Sequence, residues 1–162
     1  MELRGAIPAD VERCFEIQRR AALVGYAHIF PRGEYPFPDD VVRKEWIERL
    51  GDGRWVVLAA IDGEAVGTIS TRGNRIESLF VVPEQWGGGV GNALHDAALA
   101  NLAAQGTATA ELEVMAANLR ARRFYEGRGW ERDGRDELSP FPPYPQLVGY
   151  RRVLEPVSRS KA

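Results

Sequence analysis

The spacing of hydrophobic residues changes between two periods along the chain and predicts strands and helices in succession. A short strand is predicted over 2–7, and a helix begins near Pro8, because proline fits the first turn of a helix. A second helix begins at Asp39 or Asp40, either of which can cap its free amides, and it ends at Gly51. The segment between the two helices is rich in aromatic residues and proline, which indicates a loop.

Three strands are predicted in the middle of the chain. The dipeptide Asp62–Gly63 separates two runs rich in β-branched and small residues, which is a strong short-range signal for a β-hairpin. A third run, over 75–82, follows and ends at Pro83. Together these runs predict an antiparallel meander.

A glycine-rich loop, a helix and a strand follow the meander. Apolar residues recur every four positions from Val90 to Leu102, which predicts a helix that ends at Gly106. The next residues, 107–115, predict another strand because β-branched and apolar residues dominate them.

The last third of the chain completes an α/β pattern. A helix is predicted to begin at the capping residue Asn118 and to end at Gly127, and a final strand is predicted over 147–155. No repeat or linker divides the chain, so residues 1–155 are expected to form one domain, with 156–162 as a C-terminal tail. The predicted fold class is α/β, with a mixed central sheet flanked by helices.

Composition and charge exclude several classes of function. A chain of 162 residues with 44% hydrophobic content fits one domain with a sizeable core, and its net charge of −2 does not suit a nucleic-acid partner. Cys14 is the single cysteine and only His28 and His95 accompany it, so neither a disulfide nor a zinc site is expected. Without an apolar run of membrane length or a signal peptide, we expect no membrane partner and a cytoplasmic location.

The loop Gly87–Gly91 is the first candidate for chemistry, because it places four glycines within five positions before a predicted helix. A P-loop requires a lysine directly after its glycines, and Lys44 and Lys161 are far away. The dinucleotide fingerprint fails as well, since Asn92 or Leu94 stands at its third glycine. Free amides at a helix start without Cβ atoms can still hold a pyrophosphate, although a plain turn with close packing explains the glycines equally well.

Two motifs together resemble the GNAT superfamily of acetyl-CoA-dependent N-acetyltransferases. The first is PEQWGGGVG, in which Gly89 and Gly91 match the family's glycines and Trp86 stands where Gln or Arg is usual. The second is NLRARRFYEGRGW, whose matching residues are Asn118, Ala121, Phe124, Tyr125, Gly129 and Trp130. The resemblance implies a GNAT-like, mostly antiparallel sheet and transfer of an acetyl group from acetyl-CoA to an amine.

The resemblance also implies three catalytic residues. Tyr125 is expected to assist departure of the coenzyme thiolate by donating a hydrogen bond or a proton. Because an amine nucleophile is mostly protonated at neutral pH, a base is needed, and Glu77 or Glu113 matches the positions that different family members use. A solvated strand position for each glutamate, and simple core packing for Tyr125, are the structural alternatives.

Coenzyme binding is expected at main-chain groups of the strand before the loop and at the loop itself. The strand residues are expected to pair with the pantetheine arm and to hold the thioester carbonyl. Asn118 is expected to reach the coenzyme or to cap its own helix. The candidate residues are Leu79, Phe80, Val81, Trp86, Gly87, Gly88, Gly89, Val90, Gly91, Asn92 and Asn118.

The acceptor site is expected between the aromatic loop and the proline-rich segment SPFPPYP, which precedes the last strand. His28, Glu34 and Tyr35 are the candidate substrate-binding residues. The leading hypothesis is acetylation of a small-molecule amine. Acetylation of a protein N-terminus or lysine, which Glu113 in its LEV setting favours, and a non-catalytic acyl-CoA-binding module are the alternatives, and a homodimer is expected by resemblance only.

Overall fold

The computed structural model describes residues 1–155, and the predicted tail 156–162 lies outside the described residues. Seven strands and four helices make up the fold. The strands are β1 (Glu2–Gly5), β2 (Trp55–Ile61), β3 (Glu64–Arg72), β4 (Arg75–Val81), β5 (Thr109–Met115), β6 (Glu131–Leu138) and β7 (Gln146–Val153). The helices are α1 (Val11–Gly25), α2 (Asp39–Gly51), α3 (Val90–Ala104) and α4 (Leu119–Glu126).

All seven strands join one sheet in the order β1-β2-β3-β4-β5-β7-β6, in which only β4 and β5 run parallel. Helices cover both faces of this sheet. Cys14 of α1 contacts the side chain of Thr68, whereas Val90 and Leu94 of α3 pack against Gly67. Since neighbouring residues of a strand face opposite sides, α1 and α3 lie on opposite faces. The predicted mixed, mostly antiparallel α/β fold is confirmed. No helix in residues 1–155 combines the length and apolarity of a membrane span.

The hairpin predicted at Asp62–Gly63 joins β2 to β3. Both residues have positive φ, 51° at Asp62 and 82° at Gly63. This is the type I′ geometry, whose twist matches that of the two flanking strands. The prediction of the turn from this dipeptide is confirmed.

The parallel strands β4 and β5 separate soon after they begin. Their register contains a single pair, Arg75 with Glu111, supported by a hydrogen bond of 3.0 Å from the Glu111 amide to the Asn74 carbonyl oxygen. On its other edge β4 carries a bulge, because Ser70 pairs with Ser78 and Thr71 with Ile76, which leaves Glu77 as the extra residue. A bulge bends its strand and increases its twist. The rest of β4 therefore has an unpaired edge facing β5.

The strand β6 is absent from the sequence-based prediction. Its sequence, ERDGRDEL, is mostly charged and nearly all of it is exposed at the sheet edge. Main-chain pairing with β7, rather than an apolar face, holds this strand, and its register shifts between Arg132 and Asp136. Charged edge strands of this kind protect a sheet from pairing with other chains.

Asp10 anchors the N-terminal strand to the start of α1. Its buried carboxylate accepts two hydrogen bonds of 2.8 Å from Arg4 and one of 2.9 Å from the Ile7 amide. Arg13 adds a third charged contact at 3.1 Å. The Arg4 hydrogen bonds lower the pKa of Asp10 to about 2, against an ordinary value of 3.8.

Replacing Asp10 with Asn is expected to lower the free energy of unfolding by roughly 2 kcal/mol at pH 7. The pKa is depressed in the folded state, so this stabilisation is complete well above pH 3.8 and is lost as the pH falls toward 2. Urea denaturation of both proteins between pH 7 and pH 3 measures the difference, which should shrink with acidity. The control is Asp40→Asn, because the Asp40 side chain is fully exposed. A pH-independent difference for Asp10→Asn would contradict the assignment.

Candidate active site

Two cavities meet at the side chain of Phe80, on the part of β4 that has separated from β5. The glycine-loop cavity has a volume of about 490 Å³ and lies among β4, the loop before α3, and α4. The aromatic cavity has a volume of about 510 Å³ and lies under the loop between α1 and α2 and the segment between β6 and β7. Phe80 lines both cavities. Both volumes suit small-molecule ligands.

The free edge of β4 presents main-chain groups to the glycine-loop cavity. Val82 donates its amide to the carbonyl oxygen of Val66 at 2.9 Å, which fixes the antiparallel alternation along β3 and β4. By that alternation the main-chain groups of Phe80 face β3, whereas those of Leu79 and Val81 face the cavity. The sequence predicts that main-chain groups of all three residues face the coenzyme. In the structure only those of Leu79 and Val81 face the cavity, so Phe80 can contribute only its side chain.

Trp86 ties the glycine loop to this strand. Its indole Nε1–H donates a 2.7 Å hydrogen bond to the carbonyl oxygen of Val81. The guanidinium of Arg120 stacks on the Trp86 ring, with its central carbon 3.7 Å from the ring centroid. Trp86 thus fixes the loop by occupying one of the outward carbonyl groups of β4, and the amide of Val81 stays free for a ligand.

The loop reaches α3 through two glycines with positive φ, 78° at Gly87 and 90° at Gly89. Helix α3 then begins at Val90, and its first internal hydrogen bond runs from the amide of Ala93 to Gly89. The preceding amides of the first turn have no helical acceptor and can bind an anion. Close packing explains Gly91, because a Cβ there would lie 3.3 Å from Phe124, whereas pyrophosphate binding by the loop stays a prediction.

Most of the predicted coenzyme-binding residues line the glycine-loop cavity. Gly88 and Val90 do not: the Gly88 amide bonds to the Gln85 carbonyl oxygen, and the Val90 side chain is buried against Gly67. The predicted residues that line it are Leu79, Phe80, Val81, Trp86, Gly87, Gly89, Gly91, Asn92 and Asn118.

Arginines give the glycine-loop cavity a positive wall. Arg120, Arg123 and Arg128 line it, and Arg128 stacks on the ring of Phe124 at 3.7 Å. Arg122 instead donates to the Tyr150 hydroxyl oxygen at 3.1 Å, away from the cavity. The spacing of arginines along α4 does not by itself tell which of them face the cavity, since that depends on how the helix is rotated against α3.

Tyr125 lines the same cavity and rests on buried aromatic rings. The rings of His95 and Trp130 lie 6.3 Å and 5.8 Å from its own. Trp130 donates its indole N–H to His95 Nε2 at 3.0 Å, so this histidine is neutral, and burial lowers its pKa accordingly. Burial raises the pKa of Tyr125, as does the nearby phenol of Tyr26, and no hydrogen bond within residues 1–155 opposes this shift.

Asn118 lies at the start of α4 and caps that helix. Its side-chain oxygen accepts a hydrogen bond of 3.2 Å from the Ala121 amide, and the residue also lines the glycine-loop cavity. The residue before it, Ala117, accepts a 2.9 Å hydrogen bond from His28 Nε2. His28 lines neither cavity, so the structure gives this predicted substrate-binding residue the role of joining two loops.

The aromatic cavity forms where the acceptor site is predicted. Glu34 and Tyr35 line it, and so do Phe141 and its flanking prolines from the proline-rich segment. The residues that sequence reasoning missed include Arg32, Arg49 and Met115, which also line it. An isolated arginine in a sequence gives no local indication that it lines a cavity, because only the folded loop turns it inward.

The two candidate bases lie in different surroundings. Glu77, the bulge residue, lines the aromatic cavity, where Arg54 donates to its Oε1 at 2.7 Å and Arg49 Nε lies 3.6 Å from its Oε2. Its buried Oε2 has no hydrogen-bond donor within residues 1–155. Glu113 lies 3.3 Å from Arg75, within a cluster of charges on β5 and β6, and lines neither cavity.

The part of the chain that contains the two motifs is similar to a known protein family. A family model described as the Acetyltransferase (GNAT) family matches residues 11–130. An uncharacterized N-acetyltransferase from Archaeoglobus fulgidus is 39% identical over 100 residues, covering 54% of this chain and 67% of that protein. The matched range contains both motifs and most of the residues that line the two cavities.

Three solved structures have a similar fold. A GCN5-related N-acetyltransferase from Rhodopseudomonas palustris has a TM-score of 0.80 at 20% identity, covering 94% of this chain and 95% of that chain. A ribosomal-protein-alanine N-acetyltransferase from Brucella melitensis has a TM-score of 0.73 at 20% identity, with coverages of 95% and 100%. The PaiA N-acetyltransferase from Thermoplasma acidophilum, solved with coenzyme A, has a TM-score of 0.66 at 18% identity, with coverages of 91% and 96%.

Replacing Gly89 with Ala is expected to raise the dissociation constant for acetyl-CoA roughly tenfold, because a Cβ at φ 90° strains the loop and tilts the amides at the start of α3. Titration calorimetry measures the constant. The matched control is Gly73→Ala, which strains a residue at φ 59° in the turn between β3 and β4, away from both cavities. Equal binding by the Gly89 variant and the unaltered protein would contradict a pyrophosphate site here.

Proposed function

The chain belongs to the GNAT family of acetyl-CoA-dependent N-acetyltransferases, and we propose that it acetylates the primary amine of a small molecule by direct attack of the amine on acetyl-CoA. The observation that supports this proposal is the meeting of two cavities at Phe80. One cavity offers free amides and arginines, and the other is walled by aromatic loops. An acyl donor and an amine acceptor can thus approach each other from opposite sides.

The glycine-loop cavity fits the coenzyme. Free amides at the start of α3 suit its pyrophosphate, and Arg120, Arg123 and Arg128 supply positive charge around it. The outward main-chain groups of Leu79 and Val81 suit the amides of an extended pantetheine arm. Acetyl-CoA supplies an activated acyl group as a thioester, and a main-chain amide of β4 can donate to its carbonyl oxygen as negative charge develops there.

Tyr125 is proposed to stabilise the leaving thiolate. Its raised pKa keeps the phenol protonated at neutral pH, so its hydroxyl is available as a donor. An ordinary thiol has a pKa of about 8.5, lower than that of this phenol, so full proton transfer to the thiolate is unfavourable. We therefore assign Tyr125 a hydrogen bond to the departing sulfur rather than a complete proton transfer.

Glu77 is proposed as the general base, acting on the amine directly or through a water. An alkyl amine with a pKa near 10.4 is mostly protonated at pH 7 and must lose a proton to attack. Glu77 lines the aromatic cavity, and its Oε2 atom receives no hydrogen bond within residues 1–155, while Arg49 and Arg54 hold the carboxylate in place. Glu113 lacks this access because it lies outside both cavities.

Acetylation of a protein N-terminus is the second candidate. Glu113 lies in the sequence LEV, and its position resembles the one that peptide-acetylating members of the family use. A structural neighbour from Brucella melitensis is a ribosomal-protein-alanine N-acetyltransferase. The small-molecule proposal is favoured because loops from two parts of the chain wall the aromatic cavity. A cytoplasmic location, consistent with the free thiol of Cys14, and a homodimer remain predictions.

Release of free thiol from acetyl-CoA should rise well above background when a suitable small amine is added, and a spectrophotometric thiol assay with panels of amines and peptides tests this.

Changing Tyr125 to Phe should lower kcat roughly 10- to 100-fold, because the thiolate loses its donor, while the acetyl-CoA dissociation constant stays nearly unchanged. Tyr144→Phe, at a tyrosine that is 55% exposed, is the control. If the unaltered protein releases thiol only at the background rate with every small amine but turns over peptides, acetylation of a protein N-terminus would be favoured instead.

Changing Glu77 to Gln should lower kcat about 100-fold at pH 7, because the amine keeps its proton. The deficit should shrink as the pH approaches about 10, where the amine loses that proton without help. Glu113→Gln is the matched control and should change the pH–rate profile little. The reverse result, with the large effect at Glu113, would transfer the role of base to that residue.

A further inference from the structure

Arg32 is partly buried in the wall of the aromatic cavity and has no negative partner within residues 1–155. Its Nη2 donates to the carbonyl oxygen of Ala22 at 3.0 Å, and its Nη1 to that of Tyr35 at 3.5 Å. The rings of Phe30 and Phe37 lie 5.9 Å and 5.7 Å from the guanidinium carbon. Its Nε–H is buried and has no acceptor within residues 1–155. Every contact of this cation is therefore with a neutral group.

The other arginine of the aromatic cavity is compensated. Arg49 lies 3.6 Å from Glu77 and 4.0 Å from Glu45, both of which also line the cavity. Burial lowers the pKa of Arg32, but an arginine side chain keeps its charge in proteins. A partly desolvated charge without a partner weakens a fold, and an unused buried N–H adds to that cost. A ligand that carries an anion would pair with the charge.

We propose that Arg32 binds the carboxylate of the acceptor, so that the acceptor is a free amino acid or a closely related amino-carboxylate with an apolar side chain. This inference rests on the proposed function, because it names the substrate class of the same site. A guanidinium matches a carboxylate in shape and can donate two parallel hydrogen bonds to it.

The walls of the aromatic cavity suit the apolar part of such a molecule. Phe30, Tyr35, Phe37, Phe141, Met115 and Leu147 line the cavity, together with three carboxylate residues and Arg49. Apolar and aromatic walls with few polar groups bind a ligand mainly by burying its hydrocarbon surface, and the polar groups fix its orientation. Arg32 would fix the carboxylate end of the molecule.

Arg32 shares a hydrogen-bond acceptor with Tyr26, a residue close to Tyr125. The Ala22 carbonyl oxygen that accepts from Arg32 accepts the Tyr26 amide as well, at 2.9 Å. Tyr26 lines the aromatic cavity, and its phenol is close enough to raise the pKa of Tyr125 in the other cavity. A carboxylate on Arg32 would thus lie in the same cavity as Glu77, the proposed base.

This recognition separates a free amino acid from a protein N-terminus. In a peptide the first residue carries an amide where the free amino acid carries its carboxylate, and an amide has no charge to pair with a guanidinium. A site built around an unpaired, partly buried cation disfavours the neutral analogue because the cation then stays unpaired. The inference therefore favours the small-molecule candidate over the peptide candidate.

The test compares the twenty L-amino acids with their amides and with the corresponding decarboxylated amines in the thiol-release assay. At least one apolar amino acid should react with a kcat/KM roughly 10- to 100-fold higher than its amide. Arg32→Met keeps the packing of the side chain but removes its charge, so it should abolish this preference, chiefly by lowering kcat/KM for the acid. Arg32→Lys should restore part of the preference.

The control is Arg72→Met, at an exposed arginine outside both cavities, and acetyl-CoA affinity reports the integrity of the fold in each variant. Equal rates for acids and amides, or a preference that survives in Arg32→Met, overturns the inference but leaves the proposed function intact. Calorimetry with N-acetyl-L-phenylalanine provides a readout without turnover. Binding that is lost in Arg32→Met supports the carboxylate site even if no amine is acetylated, and binding that is unchanged overturns it.

Discussion

The separation of two parallel strands is the constraint on which the rest of this structure depends. Beyond the pair of Arg75 and Glu111, β4 and β5 share no register, and the bulge at Glu77 bends β4 as they part. An unpaired strand edge in a protein interior is unfavourable unless something satisfies its polar groups. Here the edge is satisfied in part by Trp86 and otherwise borders a cavity. Phe80 lies on this separated part of β4 and lines both cavities.

Rigid surroundings hold the groups that face this opening. Tyr125 rests on a buried pair in which Trp130 donates to a neutral His95, so its ring has little freedom to move. On the acceptor side, Glu77 is held by arginines, whereas Arg32 is held by neutral groups alone. Fixed donors and acceptors aimed at the place where charge develops are the arrangement that lowers the barrier of an acyl transfer. The unpaired charge of Arg32 is the part of this arrangement that a ligand would complete.

The sequence by itself determined the features whose physical causes lie within a few residues. The turn at Asp62–Gly63 follows from the positive φ that these residues tolerate, and the loop at Gly87 and Gly89 from the same freedom. The cap at Asn118 is equally local, because its side chain reaches an amide three residues away. Helical periodicity placed the core-facing residues of α3, and the two linked motifs identified the family.

Only the tertiary structure decided the features that depend on distant parts of the chain. Strand β6 has no apolar face, so its existence follows from pairing with β7 and not from its own residues. The bulge at Glu77 depends on the register between β3 and β4, and Glu77 lines the aromatic cavity. Glu113 lies outside that cavity, 3.3 Å from Arg75. Arg32 looks like any surface arginine in the sequence. Its partial burial arises because the loop that carries it folds against the end of α1, and no local pattern of residues encodes that contact.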